Sequence, residues 1–163
     1  MPSERRTRVG SSRIGKGLFA ARAYRTGHTI VKITGRRVSA DDVWDIGGRF
    51  ADNCFRFGPE TFLDPLDGPG RYLNHSCAPN AAVVKRNHQL FLVAAAPIAR
   101  GREILIDYST ILGADDIWTM RCRCGARACR GRVRNIATLP AKLREGYVAR
   151  GMVPEFILRL PSP

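Results

Sequence analysis

No stretch of this 163-residue chain is apolar for long enough to cross a bilayer as a helix, which takes roughly 18 residues or more. The best candidate, LFLVAAAPIA, is short and carries a proline. The opening MPSERRTRVG is too polar for a secretory signal peptide, so a reducing, intracellular compartment is expected, cytoplasm or, for a bacterial protein, nucleoid. There is no internal repeat and no low-complexity tract, and the 44% hydrophobic and 25% charged content exclude intrinsic disorder. Acid is scarce, 14 residues against 27 basic ones, giving a net charge of +13. Lysine is scarcer still, 4 of those 27, the rest being arginine. Such a balance points to polyanions or acidic surfaces as neighbours, although a GC-rich genome also enriches arginine, and the basic residues form no single helix-length stripe.

What is present reads as one domain with an appendage. Residues 1–12 are basic and polar and read as an N-terminal arm. RIGKGLFA and HTIVKIT read as strands around turns at their glycines. SADDVWDIG reads as a short helix capped by Ser39. Pro59, Pro65 and Pro69 with their glycines mark residues 58–71 as loop, with one short strand at TFLD. AAVVKR and QLFLVAAA read as a hairpin turning at Asn87-His88, and EILIDYS as a further strand. DDIWTM reads as one helical turn. The tail has helical spacing at Leu139, Leu143, Tyr147 and Val148, broken by Gly151 and Pro154. The fold class is mainly β with short helices.

Five cysteines in a reducing compartment argue against a disulfide framework. Three fall within eight residues, Cys122, Cys124 and Cys129. Thiolates at that spacing suit a tetrahedral zinc site, and Gly125 lets the chain turn so that they converge. Three ligands leave one position open. Cys77, in the polar NHSC loop, would fill it and tie that loop to the C-terminal cluster. The plain alternative is three reduced cysteines in a basic tail. Asn74 and His75 are turn and cap residue types as readily as ligand contacts. Tyr108 beside Asp107 is as readily a strand-end tyrosine. The glycines of GKG permit close backbone approach to a ligand, but they form neither a Walker loop nor a dinucleotide fingerprint.

Four motifs in order carry a resemblance: GKGLFA, RYLNHSCAPN, GREILIDY and CRCGARACRG, within residues 13–131. Together they resemble the SET-domain protein lysine methyltransferases with a post-SET zinc module and no pre-SET module. The resemblance implies small β-sheets around a pseudoknot, with a SET domain over 13–112, a post-SET zinc module over 113–134 and a helical tail over 135–163. It implies S-adenosyl-L-methionine bound by Lys16, Gly17, Leu18, Asn74 and His75, with Arg71 and Tyr72 in the supporting loop. Tyr108 would be the catalytic residue, and Glu103 and Asp107 would be structural. Cys77, Cys122, Cys124 and Cys129 would hold a structural zinc ion.

The implied activity is methyl transfer to a lysine of a protein substrate. Histone, histone-like and ribosomal proteins are the candidates, with nucleic acid nearby and no membrane. Two positions depart from the family pattern. Ile33 stands where many members have tyrosine, and Ile106 stands where an aromatic residue commonly precedes the catalytic tyrosine by two. The aromatic lysine channel is therefore expected to be thin, with Tyr108 its one tyrosine hydroxyl. These departures favour the rival reading, a non-catalytic zinc-stapled basic module that binds protein or nucleic acid. A strongly basic target would need an acidic groove, for which Asp41, Asp42, Asp45, Asp52, Asp64 and Asp67 are candidates.

Overall fold

A computed structural model describes residues 5–45 and 53–162. It contains five small sheets among the described residues. β1 (Thr7–Ser12) and β2 (Gly15–Ala20) form an antiparallel hairpin in which Thr7 faces Ala20 and Gly10 faces Gly17. Residues 7–12 are therefore a strand rather than an arm. TRVGSS is polar because its side chains face solvent, yet its backbone completes the ladder of GKGLFA, whose own apolar residues turn inward.

β3 (Thr29–Ile33) pairs with β9 (Gln89–Ala94), which pairs with β8 (Ala81–Arg86). Asn87 and His88 both take positive φ, +47° and +57°, the backbone of a two-residue hairpin turn whose twist matches its strands. β4 (Arg36–Ser39), β6 (Thr61–Asp64) and β5 (Phe55–Gly58) form a second three-stranded sheet. β4 leads into α1 (Ala40–Asp45), where Ser39 Oγ accepts from the Asp42 amide at 3.1 Å, the expected cap.

The main core lies between these sheets. Leu18, Ile30, Leu92, Ile104 and Ile106 are all fully buried in it. Two short strands cross beside it. β7 (Asn74–His75) runs parallel to β10 (Leu105–Ile106), with His75 opposite Ile106. This pairing brings the NHSC loop against the segment carrying Asp107 and Tyr108, and the Ser76 amide donates to the Ile106 carbonyl at 2.9 Å.

After Leu112 the architecture changes. Residues 115–120 do not form the expected helical turn. Asp116 Oδ2 accepts from the Gly113 amide at 2.6 Å, closing a turn, and the chain then runs extended into β11 (Met120–Arg121), paired with β12 (Arg132–Val133). The tail forms α2 (Ala141–Ala149) and α3 (Glu155–Leu158) around a core of its own that includes Ile136, Tyr147, Met152 and Ile157. Among the described residues no helix is long and apolar enough to cross a membrane.

Candidate functional site

Asp107 is the hub. It is fully buried, and its carboxylate is shared by three parts of the chain. Arg130 grips it with two forked bonds, Nη1 to Oδ2 at 2.7 Å and Nη2 to Oδ1 at 2.8 Å. Tyr147 donates its hydroxyl to Oδ2 at 3.0 Å, and the Ser109 amide donates to Oδ1 at 3.0 Å. Burial works against the Arg130 charge, but the hydrogen bonds and charge of Asp107 outweigh it and push the guanidinium pKa up. Burial pushes the Tyr147 hydroxyl up as well, and Asp107 adds to the shift.

Next in sequence, Tyr108 is held at both ends. Its amide donates to His75 Nδ1 at 3.1 Å, and its hydroxyl donates to the Leu73 carbonyl at 2.5 Å. Burial, helped by the Arg130 charge and opposed by Asp107, draws the His75 imidazole down to about 4. The ring is thus neutral at physiological pH. Because Nδ1 accepts a hydrogen bond, the ring proton sits on Nε2, 3.3 Å from Cys77 Sγ.

The corner around β2 is built on Asn74. Its side-chain amide donates to the Lys16 carbonyl at 2.9 Å, to Glu103 Oε1 at 2.9 Å and to Ser12 Oγ at 3.2 Å. A Cβ on Gly17 would collide with Glu103 Oε1, so only glycine brings this strand so close to the carboxylate. Lys16, Gly17, Asn74 and His75 therefore come together. Leu18 lies in the main core, its carbonyl taken by the Ile104 amide at 2.7 Å. Arg71 and Tyr72 sit on the short 3-10 turn Pro69–Tyr72, Arg71 exposed and ion-paired to Asp67 at 3.8 Å.

Of the expected quartet, Cys77, Cys122 and Cys124 bring their sulfurs together, and Cys129 packs against the same cluster. Cys77 and Cys122 sulfurs are 3.8 Å apart, which is about the edge of a tetrahedron with 2.3 Å bonds. The donor atoms of His75, Cys77, Cys122 and Cys124 all lie within 4.8 Å of one another. Two amides point at sulfurs, Cys77 N at Cys124 Sγ (3.5 Å) and Arg130 N at Cys77 Sγ (3.4 Å). Burial opposes ionisation of Cys124, but the amides of Cys77 and Ala126 and the thiols beside it bring its pKa down to about 6. Burial raises Cys77 and Cys122. The donor set fits a metal that prefers thiolates. His75 fits it less well, since its Nε2 carries the proton that faces Cys77. Gly125, at φ +73°, leaves room for Arg13, whose guanidinium donates to the Arg123 carbonyl at 2.8 Å and ties the first hairpin to the cysteine loop.

Between these elements lies a cleft that opens to solvent. Tyr108, Arg71, Leu73, Val43, Asp116 and Trp118 are on its walls. Trp118 stands 6.1 Å from Tyr108, ring to ring, at 59°. Reading the sequence missed this tryptophan, because the segment read as helical. Ile33 and Ile106 are buried in the main core, so neither offers a hydroxyl here. One wall is pinned by Arg56, itself nearly fully buried, which donates to Asp115 at 3.0 and 3.1 Å and to Asp116 at 2.9 Å. Of the acids expected to form a groove, Asp64 is taken by Arg36 and the Leu66 amide, and Asp67 by Arg71. Asp41 and Asp42 flank Val43 of the cleft wall on α1, while Asp52 lies outside the described residues.

Comparison with known proteins gives a consistent picture. The SET domain family profile matches residues 15–109. Histone-lysine N-methyltransferase 2D of Homo sapiens is 38% identical over 82 residues, covering 47% of this chain and 2% of that protein. Histone-lysine N-methyltransferase trr of Drosophila melanogaster is 30% identical over 128 residues, 71% of this chain and 5% of that one. The H3 lysine-9 specific histone-lysine N-methyltransferase dim-5 of Neurospora crassa is 35% identical over 83 residues, 40% of this chain and a quarter (25%) of that one. The chain thus spans at most about a quarter of the length of these relatives. Among solved structures, a humanized mutant of the Chaetomium thermophilum Polycomb Repressive Complex 2 bound to the inhibitor GSK126 shares the fold, with a TM-score of 0.57 at 23% identity over 67% of this chain and 15% of that chain.

Proposed function

The chain belongs to the SET-domain family, and from that premise we propose that it transfers the methyl group of S-adenosyl-L-methionine to the side-chain amine of a lysine on a protein. The observation that carries the reading is the convergence made by the parallel β7–β10 pair. It sets Tyr108 on the cleft wall, with the Gly17–Asn74 corner and the cysteine quartet on its flanks.

S-adenosyl-L-methionine supplies a methyl group activated by its sulfonium, so the protein's task is orientation and electrostatics. Lys16, Gly17, Asn74 and His75 would hold it, with Leu18 fixing the strand from the core side and Arg71 and Tyr72 from the adjoining turn. A lysine amine is about one part in 2,500 neutral at pH 7, and only the neutral form has a lone pair to react. An apolar cleft disfavours the ammonium, and Trp118 with Tyr108 gives the lysine stem an aromatic wall. Tyr108 donates its hydroxyl to the Leu73 carbonyl, and because a phenol oxygen also accepts, it would aim the incoming amine. Cys77, Cys122, Cys124 and Cys129 would hold a structural zinc ion, which needs no open position. The substrate would be a basic segment of a histone, histone-like or ribosomal protein, and among the described residues the charged ones on the cleft wall are Arg71 and Asp116.

Calorimetric titration of S-adenosyl-L-methionine into zinc-loaded protein tests the reading. Micromolar binding that Asn74→Ala removes is the expected result. Tyr108→Phe should bind the cofactor normally while turnover on lysine substrates falls by about 10² or more, the scale of one lost orienting group. Well-folded protein that binds no cofactor would leave the non-catalytic basic module as the reading.

A further inference from the structure

The protein's basic charge is segregated. From Arg5 to Ala40 the sequence holds ten basic residues and no acidic one, and from Gly68 to Arg102 it again holds no acid. The fold brings these two acid-free stretches together. Arg5 and Arg8 of the first hairpin and Arg100 of the turn before β10 line one groove, floored by Ala20, Ala21 and Gly101. The floor is rigid backbone, since the Gly101 amide donates to the Ala20 carbonyl at 2.8 Å and the Ala20 amide to the Arg102 carbonyl at 2.9 Å.

All three arginines are exposed, and none has an acidic partner among the described residues. Arg8 is braced over the Phe19 ring at 5.0 Å. Glu103, whose bridge pairs it with Phe19, is engaged by the Asn74 amide. The groove shares no lining residue with the Tyr108 cleft, so both can be filled at once.

We propose that this groove grips the phosphate backbone of a nucleic-acid duplex. The chemistry is that of arginine forks, which match phosphate oxygens two at a time, whereas lysine offers a point charge. The strip continues along the hairpin, whose six-residue strands span about 20 Å, to Arg13 at the turn and to the Arg123 loop that Arg13 holds. A duplex presents roughly one charge per 1.7 Å along its axis, so it can meet every cation on that strip. This goes beyond lysine methylation and does not depend on it. It gives the +13 chain a counterpart without placing that charge on a basic substrate.

The test is fluorescence anisotropy of a labelled 20-base-pair DNA duplex with the full chain, titrated from 50 to 200 mM salt. The variant Arg5→Gln/Arg8→Gln/Arg100→Gln should bind at least tenfold more weakly, and its log–log salt slope should fall by about 2.7, the loss of three phosphate contacts at about 0.9 each. Lys142→Gln/Arg144→Gln/Arg150→Gln, which removes the same charge from α2 and its C-cap, should lose less than threefold. The charge-preserving Arg5→Lys/Arg8→Lys/Arg100→Lys should fall between the two. Equal losses in both glutamine triples, no duplex binding by the unmodified protein at 50 mM salt, or equally tight competition by polyglutamate would each overturn the proposal. Methyl transfer is read separately, and the groove variants should keep it on a free peptide.

Discussion

The residues before and after Leu112 are held together by different forces. Before it, 18 buried side chains form one continuous apolar core, and the functional corner of Asn74, His75 and Asp107 is bolted onto that core by β7 and β10. After it, the cysteine loop buries only Cys122 and Val133, with Cys77 contributed from the first region. At about 1.5–3 kcal/mol for each large side chain taken from water, the first region has ample driving force, whereas segment 113–134, unlike the tail with its core of Ile136, Tyr147, Met152 and Ile157, has almost none of its own. The segment 113–134 is placed instead by sulfur, by the Arg130–Asp107 fork and by Arg56 reaching across to Asp115 and Asp116. One wall of the cleft therefore rests on apolar packing and the other on a few directional contacts.

The largest effect expected is from removing the zinc ion that the proposed cysteine quartet would hold. A structural zinc ion contributes on the order of 10 kcal/mol to the segment that holds it. Chelation should raise hydrogen exchange throughout 113–134 and weaken cofactor binding, while amides of β3, β8 and β9 stay protected. Uniform exchange across the chain on chelation would show that the two regions share one source of stability. Unchanged exchange at the cysteines in protein verified to be zinc-free would show that the loop needs no metal.

How much of this was legible in the sequence follows the same division. The Asn87-His88 hairpin, the Ser39 cap and the convergence of Cys77 with the later cysteines are carried by side-chain identity at short spacing or by a strong motif, and sequence exposes those. The backbone carbonyl of Leu73 that receives the Tyr108 hydroxyl leaves no trace in sequence, because any residue supplies a carbonyl. The Tyr147–Asp107 bond spans 40 residues and joins a tail helix to a buried carboxylate that local periodicity cannot reach. Arg56 lies 59 and 60 residues from its partners, so its role is equally hidden. β1 was obscured for another reason: its contribution is backbone pairing, and its side chains are polar because they face water.

A sharper cut through the directional region is Arg130→Met. The side chain keeps similar volume but leaves Asp107 buried without its counter-charge, which costs about 3–5 kcal/mol when one partner of such a pair is removed. Asp107→Asn added to Arg130→Met should recover a substantial part of that loss in thermal melts, since it removes the orphaned charge. Failure of the double variant to recover anything would mean that Arg130 acts by packing and by its side-chain bond to Ser109 Oγ, and the electrostatic account of this wall would be wrong.

The smallest and most discriminating change is Tyr147→Phe. It keeps the ring in the tail core and deletes one hydroxyl, whose bond to the carboxylate is worth about 1.5–3 kcal/mol. If the tail merely packs against the domain, the variant melts lower and nothing else changes. The geometry predicts more than that. Tyr147 is one of the groups that fix Asp107, Asp107 fixes Arg130 and the Ser109 turn, and Tyr108 sits between them. The expected outcome, measured well below the melting temperature, is a several-fold lower kcat with the KM for cofactor nearly unchanged, and a faster loss of zinc to chelator. A lowered melting temperature with kcat and zinc retention both intact would make the tail a passive support and would move the boundary between the two regions from Leu112 to the start of the tail.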